Sequence, residues 1–133
     1  MKYFLTSVLL FLSVFAFAQQ QPKNEEEEMK EFQESIQKEV SRLENLLEME
    51  DWQVFYTDSI LVHDYTQMRA EQKELEAAKI SDYNLYLEIQ DKWMEQIYNG
   101  LNGILEEKQW QKYLKSGALK AKKERDKRAA KRK

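Results

Sequence analysis

The sequence runs from Lys23 to Asn99 without a glycine or a proline, and Glu, Gln, Lys, Leu and Ala dominate this span. Glycine and proline are the residues that most often interrupt helices, whereas the residues that dominate here are good helix formers. The composition therefore favours helix over sheet. We expect an all-α fold of about four long antiparallel helices joined by tight corners.

Two stretches of similar pattern mark where we expect the helices to turn. Met49 to Tyr56 and Leu105 to Tyr113 each place an apolar residue, a Glu, two variable residues and a Gln ahead of aromatic side chains. A capping box with a hydrophobic staple has this spacing, with Gln at the third helical position and an apolar residue on either side of the cap. The predicted helix-corner residues are Met49, Glu50, Gln53, Leu105, Glu106 and Gln109.

The first residues have the pattern of a secretory signal peptide. Lys2 precedes an apolar run from Tyr3 to Phe15, and Ala16-Phe17-Ala18 is a small-x-small cleavage site before Gln19. A transmembrane anchor needs about 20 apolar residues, and this run is shorter. We expect cleavage between Ala18 and Gln19 and export to a periplasm or to the medium. The chain has no cysteine, so no disulfide can brace the exported protein.

Charge divides the expected mature chain into a helical domain, residues 19–119, and a basic C-terminal tail, residues 120–133. The tail has nine basic residues against two acidic ones, a net charge of +7, whereas residues 19–119 have a net charge of −11. Only alanines interrupt the charged residues of the tail. Such a segment cannot bury a core, so we expect a frayed helix or disorder.

Apolar stripes with helical spacing lie on both sides of the first corner. Phe32, Ile36, Val40, Leu43 and Leu47 define the first helix, and Ser81 is the expected N-cap of the third, whose stripe contains Leu85, Ile89, Trp93, Ile97, Leu101 and Ile104. Together these stripes exceed what one thin monomer can bury. We therefore expect a homodimer.

No constellation of residues points to an enzyme, a metal or a cofactor. His63 is the only histidine, and no cysteine accompanies it at a spacing that zinc could use. Ser59 precedes His63 by one helical turn, but no nucleophile motif surrounds it. We expect a binding or structural protein without a cofactor.

The paired corners resemble the Leu-Thr-x-x-Gln motif of the Spy/CpxP-like family of periplasmic stress proteins. Met49-Glu50-Asp51-Trp52-Gln53 and Leu105-Glu106-Glu107-Lys108-Gln109 stand where this motif would lie, and the resemblance covers roughly residues 32–114. It implies an elongated antiparallel dimer of bent helices that forms a shallow cradle. Some members are chaperones that need no nucleotide, and others inhibit sensors.

Both copies depart from the family by placing Glu where the motif has Thr, and Glu is the poorer N-cap. Two alternatives follow from this departure. At the first corner, the alternative is that Asp51 replaces Glu50 as the cap of the helix. At the second corner, the alternative is that the chain bends within one continuous helix. The acidic body also differs from the basic concave face of the best-known members, which leaves the class of client open.

Two functions fit these features. In the first, an exported chaperone or envelope-stress adaptor holds unfolded or envelope proteins with aromatic side chains near the corners, namely Trp52, Tyr56, Trp110 and Tyr113. The ordinary alternative for these four aromatics is that they close the core. In the second, a structural envelope protein attaches to anionic lipid or lipopolysaccharide through the tail, with nucleic acid the less favoured partner.

Overall fold

The computed structural model describes residues 23–133. The predicted signal peptide and its cleavage site at Ala16, Ala18 and Gln19 lie outside the described residues. Residues 23–32 form a unit of their own. In it, the Lys23 ammonium donates to both carboxylate oxygens of Glu31 at 2.7 and 2.9 Å, and Asn24 accepts from the backbone N–H of Glu27.

The described part of the chain is helical and contains no strand, which confirms the all-α prediction. The helices are α1 (Glu25–Leu47), α2 (Asp51–Ala77), α3 (Tyr83–Ile104), α4 (Glu107–Tyr113) and α5 (Leu119–Arg132). A five-residue segment, Leu114–Ala118, joins α4 to α5 and contains a kink at Gly117. The predicted four helices correspond to α1, α2, α3 and this last composite helix. The elongated dimeric cradle stays a prediction.

The core of residues 33–133 is narrow. Leu43, Leu61 and Leu101 are almost completely buried, and each removes apolar surface worth about 1.5–3 kcal/mol from water. The α1 stripe buries Ile36, Val40, Leu43 and Leu47 as its spacing predicts. On α3 only Ile97 and Leu101 of the predicted stripe are buried, while Leu85 is exposed.

Short connections separate the first three helices. Glu48 and Lys79 follow the ends of α1 and α2 with left-handed φ values of 48° and 57°, without the glycine that usually occupies such positions. At the second connection the N-cap is Asp82, one residue later than the predicted Ser81. Its carboxylate accepts from the backbone N–H of Asn84 at 2.9 Å, because Asp caps as well as Ser does.

Gly117 interrupts the composite helix. Its φ of +113° lies in a region that residues with a Cβ rarely adopt, and a Cβ built there would meet open space. Glycine is therefore required by backbone torsion and not by packing. The helix changes direction at this residue, and α5 then contacts α3.

Candidate functional site

Both predicted corners are helix starts with a capping box. Glu50 caps α2 and Glu106 caps α4, with nearly identical backbone torsions of φ −73°, ψ 159° and φ −71°, ψ 161°. The side-chain oxygen of Gln53 accepts from the Glu50 backbone N–H at 2.9 Å. Gln109 accepts from Glu106 in the same way at 3.0 Å.

This geometry overturns both alternatives that the Glu residues suggested. Asp51 is not the cap, because Glu50 occupies the extended N-cap position and Asp51 is the first helical residue. The second corner is not a bend, because α3 ends at Ile104 and Glu106 starts a new helix. A capping box tolerates Glu here since Gln at the third position supplies a second bond.

The two corners meet through their glutamines. Gln53 Nε2 donates to Gln109 Oε1 at 2.7 Å, and Gln109 Nε2 donates to Gln53 Oε1 at 3.0 Å. Each amide then crosses to the other corner. Gln53 donates to the carbonyl of Ile104 at 3.0 Å, and Gln109 donates to the carbonyl of Leu47 at 3.1 Å.

The glutamine pair leaves no amide group without a partner. Each Oε1 accepts two hydrogen bonds and each Nε2 donates two, the full capacity of a primary amide donor. Gln53 is only 1% exposed, so these bonds form away from water, where an unpaired amide would be costly. The pair ties the ends of α1 and α3 to the starts of α2 and α4.

The four predicted aromatics divide between an exposed and a half-buried group. Trp52 and Tyr56 are 48% and 52% exposed, and Phe55 between them is 67% exposed. The three rings meet edge to face, with Tyr56 lying 6.3 Å from Trp52 and 5.5 Å from Phe55. We call this group the aromatic surface. Glu50 fixes one edge of it, because its carboxylate accepts from the Trp52 indole N–H at 2.6 Å.

Trp110 and Tyr113 belong to a different cluster. Trp110 packs between Tyr113 and Tyr98 of α3, with ring centres 5.5 and 4.9 Å away. Burial raises the pKa of the Tyr113 phenol to about 12. These two side chains are half-buried, so the core alternative fits them better than a client surface does. Phe55 was not among the predicted client-binding residues, although its position next to Tyr56 in the sequence was a signal for including it.

The basic tail is helical as far as Arg132, so of the two expected alternatives, a frayed helix and disorder, the second is wrong. Its cations are held by acidic residues of α3. Arg128 makes two bonds to Asp91, at 2.7 and 2.8 Å, and Arg132 makes a third at 3.1 Å. Lys122 and Arg125 likewise bond to Glu95, at 2.5 and 3.1 Å. We call these contacts the ionic latch.

The latch changes the chemistry of Asp91. Burial alone would raise the pKa of this carboxyl, but the hydrogen bonds from Arg128 and Arg132 outweigh it and the pKa is lowered. Asp91 thus remains charged at any neutral or mildly acidic pH. Four of the nine basic side chains of the tail form ion pairs with carboxylates of α3.

Ser59 and His63, the residues considered for nucleophilic or zinc chemistry, bond to near neighbours within α2. The Ser59 hydroxyl donates to the carbonyl of Phe55, and His63 bonds to its neighbour Asp64 at 2.7 Å. Within residues 23–133, no cluster of three or more His, Cys, Asp or Glu could hold a metal ion. In the same part of the chain, no helix combines the length and the apolar character needed to span a membrane.

No protein-family model matches the chain, and no curated protein or solved structure is found to be similar to it. The resemblance to the Spy/CpxP-like family therefore stays a prediction that rests on the two corner motifs.

Proposed function

We propose that this chain is an exported binding protein that shields apolar segments of unfolded or envelope proteins without using nucleotide. The observation that carries the proposal is the aromatic surface, in which three neighbouring aromatic side chains are each about half exposed or more. Exposed apolar patches on a soluble chain usually mark interaction sites. Trp and Tyr suit this role because they offer a large contact area with few rotatable bonds.

Two features support reversible binding at this surface. The edge-to-face ring contacts and the bond from Trp52 to Glu50 hold the aromatic side chains in place, which lowers the entropy cost of binding. Residues 19–119 have a net charge of −11. A net charge of this kind keeps a protein soluble while it carries an apolar patch. The glutamine pair anchors the corner from which the surface projects.

A client-protection assay tests the proposal. Trp52→Ala and Phe55→Ala should keep their melting temperature, since exposed substitutions change stability by only about 0.5 kcal/mol, yet should protect an aggregating client less well. Val62→Ala is the matched control, because Val62 is an exposed apolar residue on α2 outside the aromatic surface. If the wild-type protein in molar excess slows the aggregation of none of several unrelated clients, the shielding function is wrong.

Export and self-association are part of the same proposal. The intact mass of the secreted protein should correspond to a chain that begins at Gln19. Light scattering after size exclusion should give the mass of a dimer, because the apolar stripe of α3 leaves Leu85 exposed in a single chain. A monomer at all concentrations would contradict the dimer.

A second candidate function is attachment to anionic surfaces through α5. Lys120, Lys123, Lys127 and Lys131 are exposed and recur every three or four residues, so they form a basic stripe separate from the ionic latch. Each basic residue near an anionic membrane contributes about 1 kcal/mol. Replacing these four lysines by Gln should abolish binding to anionic vesicles at low salt while leaving the latch intact. Unchanged vesicle binding would exclude this function.

A further inference from the structure

The aromatic surface lies in a part of the chain that has many acidic residues and no Lys or Arg. Between Arg42 and Arg69 there are six Asp or Glu residues, so residues 43–68 have a formal charge of −6 at pH 7. All 21 basic residues of the chain lie outside this segment, which contains the three rings. A partner that approaches the rings therefore meets a negative local field.

Three exposed carboxylates border the aromatic surface. Glu50 accepts from the Trp52 indole N–H at 2.6 Å. Asp51 lies one helical turn before Phe55, so the two side chains share a face of α2. Glu48 belongs to the connection just before α2 and is exposed as well. The rings thus have carboxylates beside them at the end of the surface where α2 begins.

The contacts made by α1 leave this negative charge in place. Asp58, one helical turn after Phe55, accepts from the neutral amide of Gln37 at 2.8 Å. Arg42, the basic residue closest to the surface in the sequence, donates to both carboxylate oxygens of Glu39 at 2.7 and 2.8 Å. A neutral amide therefore lies beside Asp58, and the guanidinium of Arg42 is already paired within α1.

Aromatic rings and carboxylates both attract cations. The face of a Trp or Tyr ring has a negative electrostatic potential and binds ammonium and guanidinium groups. Carboxylates beside an apolar patch select partners of the opposite charge and disfavour partners of the same charge. An apolar segment with a negative charge is therefore repelled at this surface, and one with a positive charge is attracted twice.

We propose that the partners of the aromatic surface are apolar peptide segments that carry Lys or Arg side chains. The apolar side chains of such a segment cover Trp52, Phe55 and Tyr56, and its cations lie against the carboxylates of Glu48 and Asp51. This inference rests on the shielding function proposed above and specifies which segments are shielded.

Calorimetric titration of the full chain with three synthetic peptides tests the inference. The peptides have the same length and the same leucines, and their remaining positions are all lysine, all glutamine or all glutamate. At low salt the lysine peptide should bind about tenfold more tightly than the glutamate peptide, with the glutamine peptide between them. The difference should shrink in about 1 M salt, which screens exposed charges.

A charge variant beside the rings places the effect at the aromatic surface. Glu48→Gln combined with Asp51→Asn should weaken binding of the lysine peptide by about threefold or more and leave binding of the glutamine peptide unchanged. Glu74→Gln is the control, because Glu74 is an exposed acidic residue of the same helix about 28 Å from Phe55. Trp52→Ala should weaken binding of all three peptides.

The outcomes separate this inference from the function on which it rests. Equal affinity for the three peptides would overturn the inference and leave the shielding function standing. Binding of none of the peptides would contradict the shielding function itself. Equal weakening in Glu74→Gln and in the double variant would also overturn the inference, because the preference would then come from the net charge of the chain and not from the carboxylates beside the rings.

Discussion

The glutamine pair and the ionic latch both join distant parts of the chain, but they use different kinds of bond. The pair is a neutral, saturated network around a side chain that is 1% exposed. The latch is made of charges, and the arginines that hold Asp91 keep about a third of their side-chain surface in water. A neutral buried network is insensitive to salt and pH, whereas a half-exposed ionic one responds to both.

The strongest test of this comparison breaks the glutamine pair. Gln53→Ala should destabilise the fold by about 3 kcal/mol, because it removes both bonds to Gln109, the bond to the carbonyl of Ile104 and the bond from the Glu50 backbone N–H at a buried position. Chemical denaturation measures this value, which should be the same at low and high salt. Gln111→Ala on α4, which removes only an exposed bond to Glu107, should change stability by less than about 0.5 kcal/mol.

The next largest effect is a loss of stability at alkaline pH, where the half-buried phenol of Tyr113 ionises. The pKa of Tyr113 is raised from its ordinary value of 10.0 to about 12, so the neutral phenol stabilises the fold. This contribution is complete below pH 10 and is lost as the pH rises from 10 to 12. Melting temperatures should fall over this window in the wild type and fall less in Tyr113→Phe. The exposed Tyr83 supplies the control variant, Tyr83→Phe.

A smaller effect should follow from Asp91→Asn in the ionic latch. Asp91 is buried, but Arg128 and Arg132 keep about a third of their side-chain surface in water, and this screening limits the cost to about 1 kcal/mol at neutral pH and low salt. The lowered pKa of Asp91 stabilises the fold above pH 4, and this contribution is lost as the pH falls below 4 toward the folded pKa. The stability difference between variant and wild type should therefore shrink below pH 4 and in 1 M salt. A difference that salt leaves unchanged would contradict the comparison.

The smallest effect concerns a helix end that uses neither kind of side-chain bond. Lys79 closes α2 with a left-handed φ of 57°, and the following N–H of Ile80 bonds back to the carbonyl of Leu75 at 2.9 Å. Lys79→Gly should stabilise the fold by about 0.5 kcal/mol, because glycine adopts this conformation without a steric cost. Lys73→Gly, inside α2, should instead destabilise it, by about 1 kcal/mol. Thermal melting distinguishes the two signs.

The sequence predicted those features that depend on local spacing. Both corners could be located because the capping residues lie within a few positions of one another, as Glu50 and Gln53 do. The hydrogen bonds between Gln53 and Gln109 were not predicted. The repeat of the corner motif was a signal for them, but the sequence of one corner does not show that it contacts the other. Local spacing therefore gave the helix boundaries but not the contact between the corners.

The ionic latch shows the opposite limit. Asp91 and Glu95 belong to α3, and the cations that bind them lie roughly one helix further along the chain, beyond Gly117. Composition alone made residues 120–133 resemble a solvated tail, because charge counts do not show which residues pair. The left-handed residues Glu48 and Lys79 were missed for a related reason, since neither is the glycine that normally marks such a helix end.

The backbone torsion at Gly117 sets the direction of α5. Helix α5 extends 14 residues beyond it, about 21 Å at 1.5 Å per residue. A rotation of α5 by about 10° at Gly117 therefore moves the C-terminal end of the helix, where Arg132 bonds to Asp91, by about 4 Å. That distance exceeds the tolerance of a hydrogen bond. The backbone torsion at Gly117 thus decides whether the four ion pairs between α3 and α5 can be aligned.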